Sequence, residues 1–357
     1  MQEWKRFEDC LGQDQVKEEL SLAIQADRLP HALILAGDRG SGKHDIACAA
    51  ATALMCENLT FAGHVPVPCG KCRSCLQAKG KSHPDIIEAV HKKKDGNDRR
   101  TALGVDDVRS LREAVAIKPY ERDKKVFILP ASDQMTPQAQ NALLKTLEEP
   151  PAYAHFLLLA RGTQGFLPTI LSRSVVMRLK PVDRDTLSAY LQEKMGLSSD
   201  RAYLFAGLAH GNAMEARRYA EDEALQKLVT KTLRLFRNLE NANAFDISSY
   251  AEDLTGTKEE GEAPDPSYFY DFAEDWLHDL VVLKSGGRAR DLIFGEEVQY
   301  SSEIAQTVDF PRLEQAFETL ADVRRRRQFQ GNDAQLTELL LLELRGILRK
   351  ARRERGR

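Results

Sequence analysis

Ala32-Leu33-Ile34-Leu35-Ala36-Gly37-Asp38-Arg39-Gly40-Ser41-Gly42-Lys43-His44 decides how this chain is read. Five apolar residues, a glycine-rich turn and an alanine-rich segment over 45–55 spell a buried strand, a tight loop and a helix. Gly37, Gly40, Gly42 and Lys43 fall in a G-x-x-x-x-G-K frame, whose backbone N–H groups and lysine cradle phosphate oxygens at a helix N-terminus. The eighth position is His44, where a Ser or Thr hydroxyl would ligate magnesium. An imidazole is a poor ligand for that hard ion.

Outward from the loop, residues 85–90, 126–129 and 156–160 read as further short buried strands, with helices over 105–115 and 137–147 between them. Short apolar strands separated by helices predict an α/β domain: a parallel sheet covered by helices on both faces. The strand over 126–129 runs into Pro130 and Ala131, neither able to hold a metal or orient water as an ATPase requires, and Asp133 lies past the strand end. The loop is therefore expected to shape the fold, or to hold a nucleotide loosely, rather than to support hydrolysis. From residue 183 onward no strand is legible. Helical patterns over 183–194, 199–210 and 213–221 suggest a small helical unit, and 254–266 reads as a flexible loop. Leu336, Leu339, Leu340, Leu344 and Ile347 mark one face of a late helix.

Length and charge set limits. At 357 residues two or three domains are expected. A formal net charge of −3 gives no whole-chain attraction to nucleic acid, so any DNA contact needs a local patch such as Lys92-Lys93-Lys94 with Arg99-Arg100, Arg324 to Arg327, or the basic tail after Arg349. Such runs are equally read as solvated faces. No apolar run is long enough to span a membrane and the first residues lack a signal-peptide core, which predicts a cytoplasmic protein.

Four of the six cysteines cluster as Cys56-x12-Cys69-x2-Cys72-x2-Cys75. Four thiolates at this spacing suit one tetrahedral Zn²⁺ in a closed, structural site, with Gly70 easing the turn. A redox Cys-x-x-Cys pair or free buried thiols are the other readings. Cys10 and Cys48 are expected on helices as plain core side chains.

The segment 141–151, Asn-Ala-Leu-Leu-Lys-Thr-Leu-Glu-Glu-Pro-Pro, resembles a signature of the AAA+ clamp-loader subunits of bacterial DNA polymerase III. Phe7-Glu8-Asp9 with Gly12-Gln13, Arg28-Leu29-Pro30-His31-Ala32, Ser82-His83-Pro84-Asp85, residues 103–109 and Thr169-Ile170-Leu171-Ser172-Arg173-Ser174 join it in the family's order. The resemblance implies an AAA+ P-loop domain over 1–182 with a zinc module at 56–75, an all-α lid over 183–235 and an all-α collar over 236–357. It implies work inside the DNA polymerase III holoenzyme, loading a sliding clamp onto primer–template DNA beside gamma/tau and delta subunits. Motor subunits of the gamma/tau type keep a Thr after the loop lysine, an Asp-Glu pair after the third strand and a sensor arginine. Here His44, Pro130-Ala131 and Met214 stand in those places, with Ala160 at a polar sensor position. These losses place the chain nearer the stationary, delta-prime branch, which does not hydrolyse ATP. By the same resemblance Arg173 is a trans arginine finger, reaching a neighbour's ATP as a permanent cation. Read on its residue alone, Arg173 is a surface arginine paired with a carboxylate. The alternatives carried forward are an ATP-hydrolysing gamma/tau-type motor and a free-standing zinc-containing DNA-binding protein.

Overall fold

The computed structural model describes residues 6–89, 103–255, 264–329 and 331–355. The basic groups at 92–94 and 99–100 lie outside these residues, as do most of the loop over 254–266 and the side chains of the tail. The chain groups into two compact units: one runs to Leu187 and adds His210–Met214, and the other holds Ser188–Ala209 and everything from Glu215.

The first unit is α/β. Its elements in order are α1 (Asp14–Gln25), β1 (Ala32–Ala36), α2 (Lys43–Met55), β2 (Thr60–Ala62), β3 (Val65–Val67), α3 (Arg73–Lys79), β4 (Ile86–Glu88), α4 (Val105–Ala116), β5 (Lys125–Leu129), α5 (Pro137–Glu148), β6 (Ala154–Ala160), α6 (Pro168–Leu171) and β7 (Val175–Arg178). Five strands form a parallel sheet in the order β4-β5-β6-β1-β7. Every residue of β1, β5 and β6 is buried. Side chains alternate across a strand, and here both sides are apolar. Leu33, Leu35, Val126, Ile128, Leu157 and Leu159 meet α1 and α2 on one face, while Ile34, Phe127, Leu129, Phe156 and Leu158 meet α4, α5 and α6 on the other. Helices cover both faces, as the sequence predicts. The edge strand β7 escapes sequence reading, because Val175 and Arg178 are exposed and only Met177 is buried.

Buried polar groups fix the loops between these layers. Asp85, fully buried, accepts hydrogen bonds from the backbone N–H of Tyr120 (2.9 Å) and Glu121 (2.8 Å). That bonding gives Asp85, the last residue of the Ser82-His83-Pro84-Asp85 motif, a structural role. Lys125 is also buried and donates to the carbonyls of Ala114 and Ile117 at the end of α4, both at 3.1 Å. Burial pulls its ammonium below the ordinary lysine value, and the carbonyl end of a helix is where a buried cation is best tolerated.

The second unit is all-helical among its described residues. It contains the end of α7 (Arg184–Met195), then α8 (Ser199–Leu208), most of α9 (Ala213–Glu221), α10 (Glu223–Asn238), α11 (Ala244–Thr255), α12 (Ser267–Lys284), α13 (Val298–Thr307), α14 (Phe310–Gln328) and α15 (Asp333–Arg355). Phe236 of α10 stacks on Trp276 of α12 with ring centroids 4.4 Å apart. Leu336, Leu340 and Leu344 are buried, and α15 packs against α11 and α14 of the same chain. Leu336, Leu340 and Leu344 of that apolar face are thus packed within the chain, and Leu339 is half-buried.

Candidate functional site: a phosphate loop, an outer arginine and a cysteine cluster

The phosphate-type loop sits where β1 ends and α2 begins. Gly40 and Gly42 have φ of +79° and +84°, a region that costs a side-chain-bearing residue strain. The loop is tied down from two sides. Gln13 donates through Nε2 to the carbonyls of Ser41 and Lys180 and accepts from the Lys180 N–H at 3.0 Å. The Asn212 side chain lies so close to the Gly40 α-carbon that a methyl group there would overlap its amide. Lys43 turns back on its own loop: Nζ donates to the carbonyls of Gly37 (2.9 Å) and Asp38 (2.8 Å). Burial lowers its proton affinity, with Asp133 and Asp38 pulling the other way.

His44 is half-buried and held by two contacts. Its Nε2 lies 3.0 Å from Glu88 Oε1 on β4, and Cys48 Sγ lies 3.6 Å from Nδ1. Hydrogen bonding to Cys48 and to Glu88 pushes the imidazole up to about 10, and the same contact holds Glu88 below the usual carboxylate range. The position that would face a metal-bound phosphate therefore carries an anchored imidazolium. After β5, Ala131 adopts a left-handed backbone with φ of +48° and presents no acid. Asp133 accepts from the Arg161 N–H through Oδ2 at 3.1 Å, leaving Oδ1 buried and unpartnered. Met214 is half exposed, and Ala160 is buried at the end of β6.

Arg173 follows α6. Its guanidinium pairs with Glu148 at 2.9 Å and donates to the Thr169 carbonyl (3.1 Å) and to Ser172 Oγ (3.2 Å). About a third of the side chain remains exposed. Glu148 belongs to the signature segment on α5. A second link joins that helix to the arginine's turn: buried Gln140 donates to the carbonyls of Met135 (3.1 Å) and Gly165 (2.7 Å) and accepts from the Leu167 N–H at 2.8 Å.

Cys56, Cys69, Cys72 and Cys75 converge after α2 and around the start of α3, with all four Sγ atoms within 4.8 Å of one another. Four thiolates on one Zn²⁺ at about 2.3 Å would stand about 3.8 Å apart, so the donor set fits a closed tetrahedral site. Backbone amides support the sulfurs: Cys69 N–H donates to Cys56 Sγ (3.2 Å), Cys72 N–H to Cys69 Sγ (3.4 Å) and Cys75 N–H to Cys72 Sγ (3.4 Å). The amides of Lys71 and Cys72 bring Cys69 down to about 6. Burial pushes Cys56 and Cys75 up, a cost a bound dication removes.

Of the residues the sequence singles out, Gly37, Gly40, Gly42, Lys43 and His44 share one loop, and the four cysteines form one cluster. Arg173 belongs to neither, standing on its own turn beside Glu148. Two expectations need correction. Cys10 lies in a turn, not on a helix, although it is buried, and Cys48, on α2 and packed against the core as expected, is only half-buried and also touches the His44 ring. Glu88, Gln140, Glu148 and Asn212 carry no sign of partnership in the sequence, because nothing local marks pairings across 44 or 25 residues. The four arginines 324–327 are paired with the chain's own acids: Arg324 with Asp271 and Glu274, Arg325 and Arg326 with Asp322, Arg327 with Asp265 and Asp333. Among the described residues, no helix is long and apolar enough to cross a membrane.

Residues 12–183 match the family model described as DNA polymerase III, delta subunit. The gamma/tau subunit of DNA polymerase III from Mycoplasma pneumoniae is 34% identical over 212 residues, covering 58% of this chain and 29% of that protein. The tau subunit from Escherichia coli is 34% identical over 215 residues, covering 59% of this chain and 32% of that one. The chain thus spans about a third of the length of the curated relatives it matches. Among solved structures, a gamma subunit-related protein of Thermotoga maritima superposes with a TM-score of 0.45 at 18% identity, covering 93% of this chain and 100% of that one. Across residues 12–183, where a five-stranded parallel sheet carries the phosphate-type loop after β1, this chain is similar to DNA polymerase III subunits of the delta and gamma/tau kinds.

Proposed function

We propose that this chain is a stationary, delta-prime-type subunit of a DNA polymerase III clamp loader, which helps place a sliding clamp on primed DNA without hydrolysing ATP itself. The observation that carries this reading is the eighth position of the loop, where His44 is held by Glu88 at 3.0 Å and offers no hydroxyl to magnesium. The absence of an acid at Pro130-Ala131 supports it. Arg173 keeps its charge in every state and stays partly exposed. In an assembly it stabilises charge building on a neighbouring subunit's γ-phosphoryl oxygens. Residues 183–235 serve as lid and 236–357 as collar, with gamma/tau and delta subunits as partners and primer–template DNA inside the complex. Cys56, Cys69, Cys72 and Cys75 hold one structural Zn²⁺, which stiffens the segment after α2 and leaves no coordination position for chemistry.

Turnover of ATP by the purified chain tests the first half of the reading. The expected rate is no higher than that of a Lys43→Ala variant, and sustained Lys43-dependent hydrolysis overturns it. Reconstitution with partner subunits tests the second half, since Arg173→Ala is expected to depress the loader's DNA-dependent ATPase.

A second reading, an ATP-hydrolysing gamma/tau-type motor, draws on the names of the curated relatives and on the Asp133 charge felt by Lys43. The same turnover measurement separates the two.

A further inference from the structure

Glu121 and Arg122 lie in the loop between α4 and β5, far along the chain from the cysteines, yet they reach both ends of the cluster. Arg122 Nη1 donates to the carbonyl of Cys56 at 3.3 Å. Glu121 faces the turn that carries Cys72 and Cys75. Its Oε1 pairs with Arg73 Nε at 3.2 Å, and its Oε2 accepts from Ser74 Oγ at 3.4 Å. His83 Nδ1 accepts the Asp85 N–H at 3.0 Å, so the neutral ring carries its proton on Nε2, 3.7 Å from Glu121 Oε2. The Glu121 side chain is only 14% exposed, and a carboxylate so far withdrawn from water needs polar partners. The three groups facing it all come from residues 73–83.

The local structure gives this grip its weight. α3 has seven residues, too few to hold a helical shape unaided, so its place depends on what fastens its first turn. Glu57 accepts the Ser74 N–H at 3.4 Å, and Glu121 holds the Arg73 and Ser74 side chains. The fastening loop is itself pinned, because Asp85 accepts the N–H groups of Tyr120 and Glu121. The four sulfurs stay within 4.8 Å of one another only while the end of α2 and the start of α3 keep their register.

We propose that Glu121 and Arg122 are positioning residues of the metal site. They hold the Cys56 end and the Cys72–Cys75 turn together, and so set how tightly the site keeps its zinc. The inference rests on the reading of the four cysteines as a zinc site. Neither residue belongs to the four-sulfur set, and each acts through what it holds: Arg122 through the Cys56 carbonyl, Glu121 through Arg73 and Ser74. Outer partners that orient metal ligands typically contribute about 10- to 100-fold in metal affinity.

The experiment uses the full, zinc-loaded chain and measures zinc affinity by competition with the chromogenic chelator 4-(2-pyridylazo)resorcinol at neutral pH. Glu121→Gln and Arg122→Ala are each expected to bind one zinc per chain, about tenfold more weakly than the parent. Arg122→Lys keeps a donor for the Cys56 carbonyl and is expected to hold zinc nearly as well as the parent. Gly165→Ala strains the same unit at the Asp133 carbonyl and controls for plain loss of stability, with parental zinc affinity expected. Arg122 is half-buried, so Arg122→Ala serves alone if Glu121→Gln does not fold. A parent chain that takes up no zinc overturns the zinc reading and this inference together. A zinc-binding parent whose affinity is unchanged in a folded variant of Glu121 or Arg122, or is lowered as much in a folded Gly165→Ala chain, overturns this inference alone.

Discussion

The guanidinium of Arg173 lies 2.9 Å from the carboxylate of Glu148, and the two residues sit on different elements, one after α6 and the other at the end of α5. Both partners are more than a third exposed, so the pair contributes at most about 1 kcal/mol to stability. Its value is positional. In a reconstituted loader, Arg173→Ala is expected to lower DNA-dependent ATPase substantially, by no more than about 10³-fold. Glu148→Gln is expected to cost less, about two- to tenfold, because the cation stays and only its aim is loosened. Both variants should melt within a few degrees of the parent chain. Unchanged ATPase in Arg173→Ala removes the trans role.

The cysteine cluster makes a stoichiometric prediction. Elemental analysis is expected to find one zinc per chain and none in Cys72→Ser. Loss of the metal is expected to destabilise the α/β unit by at least about 2 kcal/mol, or roughly 4–8 °C in melting temperature. Because thiolates and not thiols bind zinc, release should rise as pH falls. A Cys72→Ser chain that keeps its zinc, or that loses zinc with no change in melting, contradicts the assignment.

Gly165 has no room for a side chain. A β-carbon there would lie 2.0 Å from the Asp133 carbonyl oxygen, a backbone atom that cannot step aside. Gly165→Ala is expected to destabilise the α/β unit by about 1–3 kcal/mol or more, read as a lower urea midpoint. It should also disturb the Gln140 contact to the Gly165 carbonyl.

Histidines give this fold opposite sensitivities at the two ends of the pH scale. His44 is raised to about 10, so its contribution is complete below about 6.5 and is lost as pH climbs towards 10. His83 and His155 are lowered, chiefly by burial. They stay neutral in the fold while the unfolded chain takes up protons, so they cost stability as pH falls below about 6.5. Urea midpoints measured from pH 5 to 10 are expected to peak between these limits. His44→Gln is expected to lower the midpoints below about pH 6.5, where that contribution is complete, and so to flatten the alkaline fall, with the slope on the acid side unchanged.

Most of the α/β unit is legible in the amino-acid sequence alone, because the physics that forms it is local. Apolar runs at 32–36, 126–129 and 156–160 match β1, β5 and β6 to within two residues. These runs are continuous rather than alternating because both faces of the sheet are covered. Where exposure breaks the pattern, legibility ends: β7 offers one buried side chain, and the hairpin of β2 and β3 is three residues a side with Pro66 inside β3. The loop and the cysteines are legible because their spacing is itself the signal. Their partners are not. Glu88 looks like any polar residue closing a strand, and only the parallel pairing of β4 with β5 brings it alongside the start of α2. Asp85 falls within a motif, yet its grip on the Tyr120 and Glu121 amides is a long-range hydrogen bond that no spacing rule encodes.

Gln140 carries a consequence beyond its own burial. It fastens the first turn of α5 to the segment leading into α6, which Arg173 follows, while Glu148 fastens the end of α5 to the guanidinium itself. The helix is thus a two-point bracket, and the outer cation inherits its rigidity. On the proposed role, damage inside this bracket would surface as a slow step in an adjacent molecule's nucleotide cycle, with the damaged chain still folded and still assembled. A genetic screen for sluggish loaders should therefore return interior glutamine substitutions alongside arginine ones.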